Sequence, residues 1–284
     1  MSETGPLVRS VSDTALWVAV YRARETERPD ALFRDPHARR LAGARGEEIA
    51  ASMPFSDKAT WAWVARTVLF DRFIEEQVRA GADLVLNLAA GLDARPYRMA
   101  LPPSLKWIEV DLPGILAYKE EILAGERPVC ALERVRLDLR DVGGRRALFD
   151  RLGRSARRAL IVTEGLLIYL SAEEVGFLAE DLATPPGFSS WVLDIASPGL
   201  LRMIQKDSGT QLSAAGAALK FGPPEGPAFF LPHGWKPVDV RSPLKTAARL
   251  KRLGLGMRLL AKLPEPSGAQ GSRPWSGVCL FDRA

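Results

Sequence analysis

Four acidic residues, Asp93, Asp111, Asp138 and Glu164, each stand at or just beyond the end of a short apolar run. The runs are 84–88 (LVLNL), 107–110 (WIEV), 135–137 (VRL) and 160–162 (LIV), with helix-compatible stretches between most of them. Strands that alternate with helices build a parallel, doubly wound sheet, and such sheets bind ligands outside the carboxyl ends of their strands. The pattern therefore puts four carboxylates along one sheet edge, where they suit a cationic cofactor. Taken singly, each acid could be an ordinary helix N-cap, a position that Asp favours.

The first run leads into Ala89-Ala90-Gly91-Leu92-Asp93-Ala94, a small-residue turn resembling the fingerprint glycine loop but with Ala at its first and last glycine positions. Asp111 follows Gly91 by 20 residues, where an acid can accept both hydroxyls of a ribose. Loop and acid together fit an adenosine. The pyrophosphate of a dinucleotide would lie at the next helix N-terminus beside Asp93, and two like charges a few ångströms apart cost about 1 to 4 kcal/mol. S-adenosylmethionine has no phosphate and carries a sulfonium and an ammonium. Methyl transfer is thus favoured over an NAD-linked oxidoreductase reaction.

The stretches NLAAGLDARPYRM (87–99), IEVDLP (108–113), LDLRD (137–141) and TEGLLIYL (163–170) resemble the leucine carboxyl methyltransferase family, which also holds polyketide O-methyltransferases. Residues 10–43 and the segment FGPPEGPAFFLPHGW (221–235) are similar to its bacterial branch, so the likeness spans nearly the whole chain in order. The resemblance implies a Rossmann-like, seven-stranded class I methyltransferase fold of α/β type, mostly parallel, ending in an antiparallel pair of strands. It implies an N-terminal helical cap over residues 1–80 and an S-adenosyl-L-methionine-binding domain over 81–284. An insertion at about 197–235 would cover the substrate. By the same likeness Arg66 clamps the cofactor carboxylate, Ala89 and Gly91 form the loop, and Asp111 holds the ribose. Asp138 and Leu139 hold the adenine, and Glu164 faces the methionine end. Ala89 departs from the family's glycine. The family's other N-terminal basic contact falls near Val18, leaving Arg22 or Arg24 to substitute.

At 284 residues, with 47% hydrophobic and 26% charged content, the chain has the make-up of an ordinary globular protein. No uncharged apolar run approaches the roughly 18 residues of a membrane span, and the first 20 residues lack the layout of a signal peptide. A cytoplasmic location is expected. The two cysteines, Cys130 and Cys279, are far apart, which argues against a disulfide framework or a zinc site. Much of the net charge of +5 is local, because residues 241–262 hold seven basic residues and no acidic one, interleaved with leucines. This reads as a basic amphipathic helix pair broken near Gly254 and Gly256, either a solvated face or a surface for an acidic substrate, anionic lipid or RNA.

Before the first strand the chain reads as helical. A cap at Ser12 or Asp13 opens one helix, Asp35-Pro36 another, and a third covers 56–79 with Trp61, Val64, Val68, Phe73 and Val78 roughly on one face. The fifth strand is expected at 190–196 and the last two at 235–240 and 277–281; the Gly/Pro/Ser-rich stretch 264–274 reads as a mobile loop.

Methyl transfer is an in-line displacement, so holding acceptor and methyl at near-attack distance can supply up to about 7 to 11 kcal/mol. A carboxylate acceptor is already ionised and needs no base, whereas a phenol would benefit from one. Of the two histidines, His37 reads as structural, while His233 follows the insertion and is a candidate base or substrate contact. Tyr169, shortly after Glu164, is a candidate hydrogen-bond donor to the substrate, and Arg95, Pro96 and Tyr97 read as scaffold. The leading reading is an O-methyltransferase acting on a small-molecule carboxylate or hydroxyl, with no metal. The alternatives are an NAD-linked oxidoreductase and a catalytically weak methyltransferase-fold protein that binds RNA or an acidic partner.

Overall fold

The computed structural model describes residues 12–52, 56–214, 216–265 and 270–284. These hold seven strands: β1 (Leu84–Leu88), β2 (Lys106–Asp111), β3 (Ala131–Arg136), β4 (Ala159–Thr163), β5 (Phe188–Ala196), β6 (Trp235–Arg241) and β7 (Ser276–Arg283). They form one sheet in the order β3-β2-β1-β4-β5-β7-β6, in which β7 runs antiparallel to both its neighbours and the β1-to-β5 pairs are all parallel. This is the class I methyltransferase arrangement, with the antiparallel pair where the sequence places it.

The sheet is buried on both sides, which is why β1 and β4 read as continuous apolar runs. Side chains alternate across it: Leu84, Leu86, Leu88, Ile108 and Val110 face one layer, and Val85, Trp107, Leu160 and Val162 face the other. Ten α-helices of the described residues surround it. Three precede β1: α1 (Asp13–Thr26), α2 (Ala38–Ser52) and α3 (Ser56–Arg79). The crossovers are α4 (Arg95–Arg98), α5 (Pro113–Ile122), α6 (Val142–Ser155) and α7 (Ala172–Ala183), followed by α8 (Pro198–Ala214), α9 (Pro243–Arg249) and α10 (Leu255–Leu260). Helices α6 and α7 cover the first layer, and α3 covers the second through Leu69, Phe70, Phe73 and Ile74. The apolar stripe of α3 therefore packs directly on the sheet, while α1 and α2 form a separate cluster with Leu92, Ile115, Leu201 and Leu219 above the strand ends.

Several local expectations shift. The third strand begins at Ala131, four residues earlier than its apolar run, because β3 is an edge strand whose alternating Glu133, Arg134 and Arg136 obscure the pattern. Ser12 makes no side-chain cap and has helical backbone angles; Asp13 instead accepts from Arg45 at 2.7 Å. The second helix starts at Ala38 rather than Asp35-Pro36, since the buried Asp35 carboxylate accepts from Arg22 Nε at 2.9 Å and from the His37 N–H at 3.2 Å. The basic stretch does form a helix pair, α9 and α10, with Gly254 as the N-cap of the second. The loop expected at 264–274 lies partly outside the described residues.

On the closing side, Trp191 of β5 is fully buried, donates from Nε1 to Thr163 Oγ1 at 2.9 Å and packs edge-on against Phe230 and Trp235, with ring centroids 5.2 and 5.4 Å away. Thr163→Val keeps the shape and removes the acceptor. The buried indole N–H is then unsatisfied, at a cost of about 1 to 3 kcal/mol. Urea unfolding should show a lower midpoint with an unchanged m-value.

Candidate active site

The chain runs outward through β1, β2 and β3 and then returns to place β4 on the other side of β1. At such a switch point the loops diverge and leave a crevice at the strand ends. The crevice here is a cavity of about 1680 Å³, floored by the 89–93 turn, Asp111, Glu164 and Asp194 and walled by α1 and α3.

Beneath it lies a buried charge network. Arg95, 3% exposed, places Nε 2.6 Å from Asp71, Nη1 2.8 Å from Asp93 and Nη2 2.8 Å from Glu164. Arg98 binds Asp71 through both terminal nitrogens at 2.8 Å. Asn87 donates to Asp93 at 2.9 Å. Burial alone would raise the Asp93 carboxyl, but Arg95, Lys119, Arg98 and the Arg95 N–H outweigh it and hold it at about 2. The charge of Asp93 is thus neutralised from within the protein, and the repulsion invoked above against a pyrophosphate does not operate here.

Arg66 joins this network to the cavity. Its Nε lies 3.1 Å from Glu164, its Nη1 lies 3.3 Å from Asp194, and its guanidinium sits 4.6 Å from the centre of the Trp63 ring. Gly165, with φ +68°, permits this approach, because a Cβ there would stand 3.2 Å from Arg66 Nη1. Asp194, at the end of β5, also accepts from the Gly165 N–H at 2.7 Å, and burial pushes its carboxyl above the ordinary range. It was missed in the sequence; the available signal was one acid inside the apolar run of β5.

Asp111 lines the same floor. It accepts the Gly91 N–H at 2.6 Å and the Leu112 N–H at 2.7 Å, and burial raises its carboxyl against those two bonds. Ala89 and Gly91 both line the cavity, and both have positive φ, 52° and 48°. For Ala89 this conformation costs of order 1 kcal/mol or more, which explains a glycine elsewhere in the family. Gly91 is required by that φ and by Ala15 of α1, 3.2 Å from where its Cβ would be, so the fold itself demands it. Tyr169 lines the cavity as well, and burial pushes its phenol up against a hydrogen bond with Thr14. Arg22 and Arg24 are lining residues already paired, Arg22 with Asp35 at 2.9 Å and Arg24 with Glu47 at 3.1 Å.

Three expected residues stand elsewhere. Asp138 is held by Arg140 at 2.6 Å, and neither it nor Leu139 lines the cavity. His233 also stands apart: its ring packs on Gly176 of α7, its Nδ1 is 2.9 Å from Glu180, and it does not line the cavity. The outer half of the cavity is apolar, with Trp17, Trp63, Ile204, Leu219, Phe221 and Leu253 among its walls. Arg273 also lines it and has no carboxylate partner among the described residues.

Fold and cavity together define a class I methyltransferase. The leucine carboxyl methyltransferase family model matches residues 15–183, more than half of the chain. A protein of Frankia alni, provisionally named as an S-adenosyl-L-methionine-dependent methyltransferase, is 32% identical over 256 residues, covering 84% of this chain and 88% of its own. One from a Parafrankia species with the same provisional name is 34% identical, covering 85% and 82%. The crystal structure of a DUF574 family protein from Streptomyces avermitilis superposes with a TM-score of 0.60 at 14% identity, covering 94% of this chain and 97% of that one. A provisionally named methyltransferase from Thermobifida fusca gives 0.58 at 18% identity, with 98% and 96% covered. The chain belongs to the leucine carboxyl methyltransferase family and is an S-adenosyl-L-methionine-dependent methyltransferase.

The floor fits that cofactor. Among the described residues Asp111 has two backbone donors and no salt-bridge partner on a carboxylate that can accept about four hydrogen bonds, which leaves room for hydroxyl donors. Asp111 and Asp194 are the floor acids least neutralised by arginine, as a ligand bearing positive charge requires.

Arg95→Ala should leave Asp93 without its salt-bridge partner, with Asp71 held by Arg98 and Glu164 by Arg66 alone, and cost about 3 to 5 kcal/mol. In the parent, Asp93 contributes stability above its unfolded value of 3.8, lost as pH falls toward about 2. In the variant the buried Asp93, without Arg95 to offset its burial, gains a proton more readily than in the parent, so the deficit should shrink on acidification from neutral pH. Urea titrations of both proteins at a series of pH values check this; a pH-independent deficit would contradict it.

Proposed function

We propose that the protein transfers the methyl group of S-adenosyl-L-methionine to an oxygen of a small apolar molecule, a carboxylate or a hydroxyl. The observation that carries the reading is the Asp111 carboxylate at the carboxyl end of β2, fixed by the Gly91 N–H and open to the cavity. In this reading Asp111 holds the ribose and Arg66 the cofactor carboxylate. Glu164 and the turn residues Ala89 and Gly91 shape the methionine end. Asp138 and Leu139 serve the adenine once Arg140 gives way. S-adenosyl-L-methionine supplies an activated methyl on a sulfonium, so the chain's task is to bind, orient and exclude water.

The acceptor would occupy the apolar part of the cavity, under helices α1 and α3 of the cap and the 197–235 insertion, whose Ile204, Leu219 and Phe221 line it. Arg273, without a carboxylate partner of its own, favours a carboxylate over a neutral hydroxyl. A carboxylate acceptor is ionised far below neutral pH and needs no general base. Tyr169, its phenol kept protonated by burial, is a hydrogen-bond donor that would orient the acceptor oxygen.

Calorimetry tests the cofactor assignment: the parent should bind S-adenosylhomocysteine, and Asp111→Ala should weaken binding at least tenfold, as expected from hydrogen bonds to a charged acceptor worth about 1.5 to 3 kcal/mol each. No binding by the parent at millimolar concentration would refute the reading, and parental affinity in the variant would refute the role of Asp111.

The acceptor follows from a screen of aromatic acids, phenols and fatty acids read as S-adenosylhomocysteine release. With any acceptor so found, His233→Ala should change turnover less than about threefold. A loss of about 10²-fold, the mark of a missing general base, would mean that the insertion rearranges to bring His233 in.

A further inference from the structure

The amphipathic stretch after β6 lines the cavity on its inner side, through Leu244, Leu253, Met257 and Ala261 among others, while its outer side has no part in the site described above. Three of its basic residues are internal: Arg241 pairs with Glu76 at 2.7 Å, Arg252 with Glu25 at 2.8 Å, and Lys245 lies 3.7 Å from Glu265. The other four, Arg249, Lys251, Arg258 and Lys262, are exposed and have no carboxylate partner among the described residues. Beside them stand four leucines with unusually high exposure: Leu255 at 81%, Leu259 at 66%, Leu263 at 56% and Leu260 at 48%.

Their spacing sorts the residues into three stripes. Residues four apart lie on one helix face, and the helical path continues past α10 through the Lys262 N–H to Leu259 and the Leu263 N–H to Leu260, both 3.1 Å. Met257 and Ala261 turn inward and pack in a cluster with Trp61 and Leu253. Leu255, Leu259 and Leu263 form an outward apolar stripe, and Arg258 and Lys262 form a basic one next to it. A short helix with leucines on one side, cations beside them and a third side fixed to the protein is the arrangement of an interfacial element, whose leucines enter the acyl boundary while the cations meet headgroups. Leu260 and Leu263 also line the cavity, so the exposed patch is continuous with the apolar acceptor wall. No helix among the described residues is long and apolar enough to cross a membrane, so any membrane contact through helices is peripheral.

We propose that α10 and Leu263 form a docking surface for an anionic lipid bilayer, which sets the cavity mouth against the membrane. The charge selects the occupant: the four exposed charged residues without a carboxylate partner are all basic, residues 241–262 contain no acid, and the nearby Glu265 lies 3.7 Å from Lys245. An apolar acceptor dissolved in that bilayer would reach the cavity without crossing water.

Vesicle flotation with the full chain tests the proposal. The protein should float with phosphatidylcholine vesicles containing phosphatidylglycerol and bind at least tenfold more weakly to phosphatidylcholine alone, with the difference closing at high salt. Leu255→Glu combined with Leu259→Glu should lower binding at least tenfold. Arg258→Gln and Lys262→Gln should each lower it by roughly fivefold, the contribution of one basic residue near an anionic surface. Neither Leu255 nor Leu259 lines the cavity, so S-adenosylhomocysteine affinity should be unchanged in the double glutamate variant, which shows that it is folded. Failure of the parent to float, or equal flotation by the glutamate variant, would overturn the proposal. So would sedimentation velocity showing a dimer that the glutamate changes dissociate, or RNA binding that they abolish while vesicles remain unbound.

Discussion

Everything at the cofactor end depends on one buried cation. Arg95 holds Asp71, Asp93 and Glu164 at hydrogen-bond distance in a site where none of them could stay ionised alone. A buried cation among carboxylates contributes little net stability, because desolvation offsets the attraction, but removing it leaves charges stranded. What it provides is geometry. With Asp93 fixed by Arg95 and Asn87, the turn between β1 and α4 has one conformation, and Ala89 and Gly91 take their positive φ values within it.

That turn then orders the floor. The Gly91 N–H points at Asp111, which lies across the sheet on β2, so the orientation of that carboxylate is preset by the same loop. On the other side of the switch point, Glu164 is shared between Arg95 and Arg66, and Arg66 reaches on to Asp194 at the end of β5. The carboxyl ends of β4 and β5 are thereby tied to α3. A charged floor and apolar walls thus share one cavity, without a dividing wall.

Much of this was legible because it obeys local rules. Two-sided burial makes β1 and β4 continuous apolar runs, and the 20-residue step from Gly91 to Asp111 corresponds to a direct contact, the Gly91 N–H donating to the Asp111 carboxylate. The edge strand β3 was half hidden because only one of its sides is apolar. For His233, proximity to the insertion in sequence says nothing about which way the ring faces, and it faces α7. Asp93 was read as a bare charge; its partner Arg95, two residues on, was on the page but its direction was not. Asp194 carries no motif and is significant only because β5 lies next to β4, a fact of topology. The pairing of the basic stretch with Glu25, Glu76 and Glu265 is likewise long-range, and only the unpaired remainder stands out once the fold is known.

A crystal structure of the protein grown with S-adenosylhomocysteine is the most direct test of the claim that this floor is the cofactor site. The account predicts the nucleoside ribose on Asp111, the amino-acid end between Arg66, Glu164 and Asp194, and the Arg95 network unchanged from its free arrangement. Ligand density elsewhere, or a bound state in which Arg95 has left Asp93 and Glu164, would contradict it.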